Sequence, residues 1–180
     1  MLVITPNCVL SFPALFTPKP RSEGGEPVFS CSLIFDMAAQ QTPEYKAMQA
    51  AVVTTAHQKW GGATKMEKLV LPFKDAGEKS DKYAGYDEGF TYVNVWSQKK
   101  PGIVDARLQD VLSPDEVYAG QVVKVQLAPF PWENTGRRGI SFGLQNVQVV
   151  KKNAPRIDGR VAANKAFEAV VDETEEVSPF

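Results

Sequence analysis

Histidine and cysteine are scarce in this sequence. Of 180 residues, one is histidine, His57, and two are cysteines, Cys8 and Cys31. A Ser-His-Asp or Cys-His device needs a histidine next to its nucleophile, and nothing in the chain places one beside His57. The two cysteines fit no zinc spacing and read as buried free thiols. No window approaches the roughly 18 apolar residues of a membrane helix, so no membrane partner is expected. The N-terminal MLVITPNCVLSF lacks a basic leader, and Pro6 and Pro13 break its apolar run. It is a poor signal peptide, and the expected compartment is the cytosol. GGATK at 61–65 lacks the spacing of a phosphate loop. Asp75, Glu78 and Asp81 are evenly spaced, which leaves a metal-dependent nuclease open. Lys74, Lys79 and Lys82 interleave with them and favour a solvated loop. No cofactor is expected, and nothing points to catalysis.

Net charge is also nearly absent, at −1, but its distribution is uneven. Every Lys and Arg lies at or before Lys165, while Glu168, Asp172, Glu173, Glu175 and Glu176 follow it. Residues 1–167 therefore carry a net +4, and the C-terminal segment reverses the sign. A mildly basic body with an acidic tail suits a polyanion partner, a basic protein partner, or both.

What is present is mostly strand. VLSFPALF (9–16) is a short apolar run bounded by Asn and Pro. VFSCSLIFD (28–36) alternates, with Phe29, Cys31, Leu33 and Phe35 on one side and Ser30 and Ser32 on the other, as in a half-buried strand. FTYVNVWSQ (90–98), QVVKVQLAPF (121–130) and GISFGLQNVQVV (139–150) complete five strands, with PWENTGRR as a loop between the last two. The inward phase of the last strand changes near Gln145, which predicts a bulge. Residues 42–62 hold the one strong helix: Thr42 as N-cap, Pro43 at the first position, an apolar stripe of Tyr45, Met48, Val52, Ala56 and Trp60, and Gly61-Gly62 as the stop. Residues 74–89 form a long polar loop. Five strands without a βαβ alternation predict a mainly β fold, a five-stranded OB-fold barrel with one amphipathic helix. The expected division is a domain over 1–160 and a flexible, disordered acidic tail over 161–180 that ends in Phe180.

The constellation with chemistry in it is TYVNVWSQKK (91–100). Val93 and Val95 take the apolar phase. Tyr92, Asn94, Trp96 and Gln98 share the opposite face, where side chains recur about every 7 Å, and Lys99 and Lys100 follow. Aromatic platforms for bases beside cations for phosphates are how single strands are held without sequence preference. The competing reading is a two-sided core, with Tyr92 and Trp96 packed under the helix or the long loop. Tyr83 and Tyr86 beside Lys82, Trp132 beside Arg137 and Arg138, and Lys124 facing away from Val123 and Val125 extend the same chemistry.

The segments LSFPALF, GGEPVFSCSLIFD, LPFKDAGEKSDKYAGY, KKPGIVD, EVYAGQVVKVQLAPFPW and RRGISFGLQNVQVVK together resemble a family of bacteriophage single-stranded DNA-binding proteins long known only as a domain of unknown function. The resemblance runs from about Leu10 to Lys151. It implies an OB-fold, a role in phage replication or recombination in the cytoplasm of an infected bacterium, and no enzymatic activity. Here the helix precedes the third strand, earlier than in the common OB order. The acidic end with Ser178-Pro179-Phe180 is similar in kind to the tips of bacterial and phage single-strand binders, which recruit replication proteins and in some cases compete with DNA. The aspartates and isoleucine usual in bacterial tips are replaced here by Glu175, Glu176, Val177 and Ser178. By that likeness Asp172, Glu173, Glu175, Glu176 and Phe180 form a partner-binding and autoinhibitory tail. A virion adaptor barrel that uses the aromatic face for protein contacts is the alternative.

Overall fold

The computed structural model describes residues 1–161 and 163–171. Strands β1 (Val3–Ile4), β2 (Cys8–Pro20), β3 (Pro27–Phe35), β4 (Lys74–Asp75), β5 (Thr91–Ser97), β6 (Gly102–Val104), β7 (Val122–Asn134) and β8 (Arg137–Lys151) form one sheet. Helix α1 spans Pro43–Trp60, and a single exposed turn, α2, spans Ala163–Ala166. The pairings β2–β3, β3–β5, β5–β8, β8–β7 and β7–β2 return to their start, so five strands make a closed ring. Only β5–β8 within that ring is parallel. The short strands β1, β4 and β6, which the sequence reading did not include, pair onto β7, β5 and β8.

The ring closes over apolar side chains that alternate along each strand. Leu10, Leu33, Val93, Val125, Leu127 and Phe142 are fully buried. A buried side chain of this size stabilises the fold by about 1.5–3 kcal/mol. Cys8 and Cys31 are buried free thiols in the same core, and burial pushes Cys8 up to about 12. Such thiols stay protonated and unreactive.

Helix α1 begins where the sequence predicts. The Thr42 hydroxyl accepts from the Tyr45 N–H at 3.2 Å, and Pro43 occupies the first turn. Tyr45, Met48, Val52 and Ala56 are buried against β1, β7 and β8. Gly61, at φ 99°, ends the helix in a conformation that a side chain disfavours. Thr42→Ala should cost about 1 kcal/mol of stability, read as a lower urea midpoint with an unchanged slope.

Three sequence expectations are corrected. Strand β3 is not half-buried, because Cys31 to Phe35 are all buried. Loop residues 76–90 cover its second face through Ala76, Tyr86 and Phe90. The polar loop is thus partly core: Ala76 and Tyr86 are buried despite the charged residues around them. PWENTGRR is not a loop between strands but their continuation. Asn134 pairs with Arg137 around a two-residue turn, with Thr135 at φ 47° and Gly136 at φ 78°. Two positive φ values match the twist of a hairpin, at the expense of strain at Thr135. The bulge falls where the phase change predicts. Gln126 pairs with Asn146 and Leu127 with Leu144, so Gln145 is the extra residue.

Candidate nucleic-acid interface

The outward face of β8 is built from small residues. Gly139, Ser141 and Gly143 alternate with the buried Ile140, Phe142 and Leu144. Aromatic side chains line this strip. Trp132 pairs with Gly139 and its ring lies over it, Phe130 pairs with Ser141, and Trp96 pairs with Gly143. Because Gly143 presents no side chain, the Trp96 indole reaches Phe130 edge-on, with centroids 5.5 Å apart. The Arg21 guanidinium stacks 3.6 Å from the Trp96 centroid. Loss of hydration there lowers the Arg21 pKa, yet a guanidinium remains charged. Arg21, Lys74, Asn94, Trp96, Phe130 and Trp132 line a cleft of about 340 Å³. Asn94 is held by a 2.6 Å bond from the Ser32 hydroxyl. The arrangement offers half-buried π faces, two cations and a fixed amide within one groove.

A second aromatic cluster lies further along the same sheet face. Between them, Tyr92 stands two same-face steps from Trp96 on β5, or about 13 Å. Tyr92 is only 5 % exposed and packs on Ile34, Ala76 and Tyr86. The two-sided reading therefore holds for Tyr92, whose ring is not open to a base. Tyr86 is buried too, and its hydroxyl donates to Ser11 at 2.9 Å. Burial raises its pKa, so it remains a neutral donor. The exposed member is Tyr83, which meets Phe12 edge-on at 5.0 Å.

Phe12 is a residue that the sequence reading missed. It is 54 % exposed and sits at φ 45°, where two β2 residues, Phe12 and Pro13, oppose one on β3. A bulky residue held in the left-handed region inside a bulge is stored strain, which clusters at functional sites. The signal available was Pro13, since proline within a strand marks an edge or a bulge. Phe12, Tyr83, Tyr118, Lys19, Lys82 and Arg156 line an open cleft of about 860 Å³. The Lys79 ammonium lies 4.7 Å from the Tyr92 ring centroid and 5.8 and 5.9 Å from those of Tyr86 and Tyr83, over the second cluster.

The other predicted cations are dispersed. Lys99 and Lys100 are exposed just after β5, with Lys100 5.0 Å from the Phe16 ring. Arg137 and Arg138 follow the hairpin turn, beside Lys65 and Lys68. Lys124 is exposed but lines a different cleft, with Asp36 and Glu44. The structure does not bring it to the aromatic groove. Among the described residues, no three His, Cys, Asp or Glu side chains cluster as a cation site would require. Asp75, Glu78 and Asp81 are not brought together. No described helix is long and apolar enough to cross a membrane. Asp172, Glu173, Glu175, Glu176 and Phe180 lie outside the described residues.

A family model described as Enterobacter phage Enc34, ssDNA-binding protein, matches residues 1–178. The chain belongs to this family. No curated protein matches it. The fold of this Enc34-family chain is similar to that of the single-stranded DNA-binding protein of bacteriophage Enc34 solved in complex with ssDNA. The TM-score is 0.71 at 23 % identity, over 86 % of this chain and 88 % of that one. Another structure of the phage Enc34 protein gives 0.70 at 23 % identity, over 93 % and 90 %. The gp2.5 single-stranded DNA-binding protein of bacteriophage T7 is similar at 0.59 and 14 % identity, over 99 % and 96 %.

Proposed function

We propose that this member of the Enc34 family binds single-stranded DNA without sequence preference during phage DNA replication and recombination. We further propose that its strand ring is a five-stranded OB-fold barrel with an atypically early helix. The observation that carries the reading is the Trp96–Phe130–Trp132 trough with Arg21 stacked in it. Bases stack on any π face, and cations neutralise phosphates whatever the sequence. Trp96, Phe130, Tyr83 and Phe12 are the stacking residues. Tyr92 and Tyr86 support Tyr83 and Phe12 from beneath, and Asn94 hydrogen-bonds to what enters. Lys74, Lys99, Lys100, Arg137 and Arg138 neutralise phosphates. The compartment implied is the cytoplasm of an infected bacterium.

The test is a tryptophan-quenching titration with oligo-dT at two salt concentrations, beside a duplex of the same length. Saturable quenching that weakens with salt is expected, with a log–log slope of about −0.7 per phosphate neutralised. Absence of quenching and of a gel shift at low salt would dismiss the reading.

The acidic C-terminal segment is proposed to compete with DNA. Asp172, Glu173, Glu175 and Glu176 imitate phosphates, and Phe180 imitates a base. Supporting this reading, the chain that leads to the segment is held beside the second cleft. The Ile157 N–H donates to the Ala119 carbonyl at 3.1 Å, and Arg156 stacks 4.2 Å from the Tyr118 centroid, both beside the Phe12–Tyr83 cleft. A tether of some twenty residues holds the tip at an effective concentration on the order of millimolar. DNA displaces it, and the freed end is offered to a replication protein with a basic, aromatic-accepting pocket. Deleting residues 172–180 should tighten DNA binding at low salt, and the gap should close as salt screens the attraction over about 10 Å. Phe180→Ala should spare DNA binding and abolish capture of the partner. Equal low-salt affinity with and without the tail would rule out competition.

A further inference from the structure

The hairpin tip forms a further cleft that the aromatic trough does not use. Between the C-terminal end of α1 and the β7–β8 turn, Trp60, Lys65, Lys68, Val70, Arg137 and Arg138 line about 760 Å³. Four cations face it. Glu133, which accepts from the Trp60 indole N–H and lies 3.7 Å from Arg138, offsets one of them. The Arg138 guanidinium also lies 5.7 Å from the Trp60 ring centroid. The wall is unusually bare: a Cβ added at Gly61, Gly62 or Gly136 would meet nothing within 4 Å. An extended, charged backbone can approach such a wall closely.

The cleft adjoins the trough. Val70 lines both. Its position is fixed, because its N–H donates to the Arg138 carbonyl at 2.9 Å and its carbonyl accepts from the Ile140 N–H at 3.1 Å. Trp132 and the Val70 carbonyl meet over Gly139, so a fixed rim separates the trough from the cations of the cleft.

Resting on the single-strand reading above, we propose that this cleft is an extension of the DNA track, in which Lys65, Lys68, Arg137 and Arg138 hold the sugar–phosphate backbone of the same strand after it passes Trp132. It differs in kind from the trough. Bases stack in the trough, whereas here the strand is held by charge, with only Trp60 to offer a ring. The hairpin and the chain after α1 thus set how many nucleotides one copy covers.

The test is the double variant Lys65→Gln/Lys68→Gln in the full chain, read by oligo-dT titration over a salt series. Both side chains are exposed, so an unchanged thermal midpoint is expected. Two probes separate the clefts: oligo-dT of about four and of about sixteen nucleotides, the extremes of what one OB-fold covers. Loss of two phosphate contacts should make the log–log slope shallower by about 1.4 on the long probe and leave the short probe unchanged. An unchanged slope on the long probe overturns the proposal. So does an equal change on both probes, which would make these lysines a diffuse field rather than a track. Tighter binding at low salt also overturns it, because the cleft would then hold the chain's own acidic end. Failure of the wild type to bind either probe would instead refute the single-strand reading itself.

Discussion

Trp96→Ala is expected to weaken oligo-dT binding by roughly 1–3 kcal/mol, a loss of about fivefold to about 150-fold, with the fold retained. Trp96 is half-buried, and what it touches outside the core is Phe130 and Arg21. Removing the indole deletes one stacking platform. It also frees Arg21, whose guanidinium loses the surface on which it lies and with it a defined position at the trough. Both effects fall on binding. The stability loss should be modest, because the apolar side of β5 is carried by Val93 and Val95, at 0 and 1 % exposure. Trp96→Phe should recover part of the affinity, since a smaller π face still stacks. Normal oligo-dT affinity in Trp96→Ala, or cooperative unfolding at room temperature, would show that Trp96 belongs to the core and not to the site.

The prediction could be framed from sequence because a strand has a period of two. TYVNVWS alternates without interruption, so the buried phase and the outward phase separate cleanly, and β5 lies within the stretch predicted. The helix was legible for a similar local reason: its cap, first-turn proline, stripe and terminal glycines all agree. The bulge at Gln145 was legible as a phase slip. What covers an outward face was not legible, because coverage is decided by residues distant in sequence. Ser32 read as the polar side of its strand and Tyr92 was open between two readings, yet both, with Ile34, are buried where loop residues 76–90 cover the sheet, and the charged composition of that loop conceals Ala76 and Tyr86. The trough could have been found. GISFG on β8 places Gly139, Ser141 and Gly143 on one face, and such a run of small residues marks where something else lies against the sheet. Arg21 and Phe12 were harder. Arg21 sits in a loop that only the fold brings over Trp96, and Phe12 points outward because of a bulge that Pro13 signals but does not orient. Lys124 shows the limit of phase alone. It faces outward as predicted, but on a part of the ring that looks toward Asp36 and Glu44.

Tyr92→Ala should behave in the opposite way to Trp96→Ala, although the two residues share a strand face. Its ring is wedged between Ile34, Ala76 and Tyr86, with Tyr86 edge-on at 5.3 Å and Lys79 above it. Truncating a buried aromatic leaves a cavity that neighbours only partly fill, at about 3–5 kcal/mol. That is a large share of the 5–15 kcal/mol typical of a domain. The expected result is a marked drop in the urea midpoint. At low temperature, where the domain stays folded, the affinity for oligo-dT should fall by less than in Trp96→Ala. The residual loss passes through Tyr86, whose ring centroid is 6.0 Å from that of Tyr83 and 6.4 Å from that of Phe12. With its floor gone, the second cluster loses its fixed orientation without losing its exposed rings. Tyr92→Phe should be nearly neutral in both measurements, because it keeps the volume and the edge-to-face contact. A Tyr92→Ala protein as stable as the wild type, but with oligo-dT affinity lowered as far as in Trp96→Ala, would mean that loop residues 76–90 lift away and that Tyr92 itself stacks on a base.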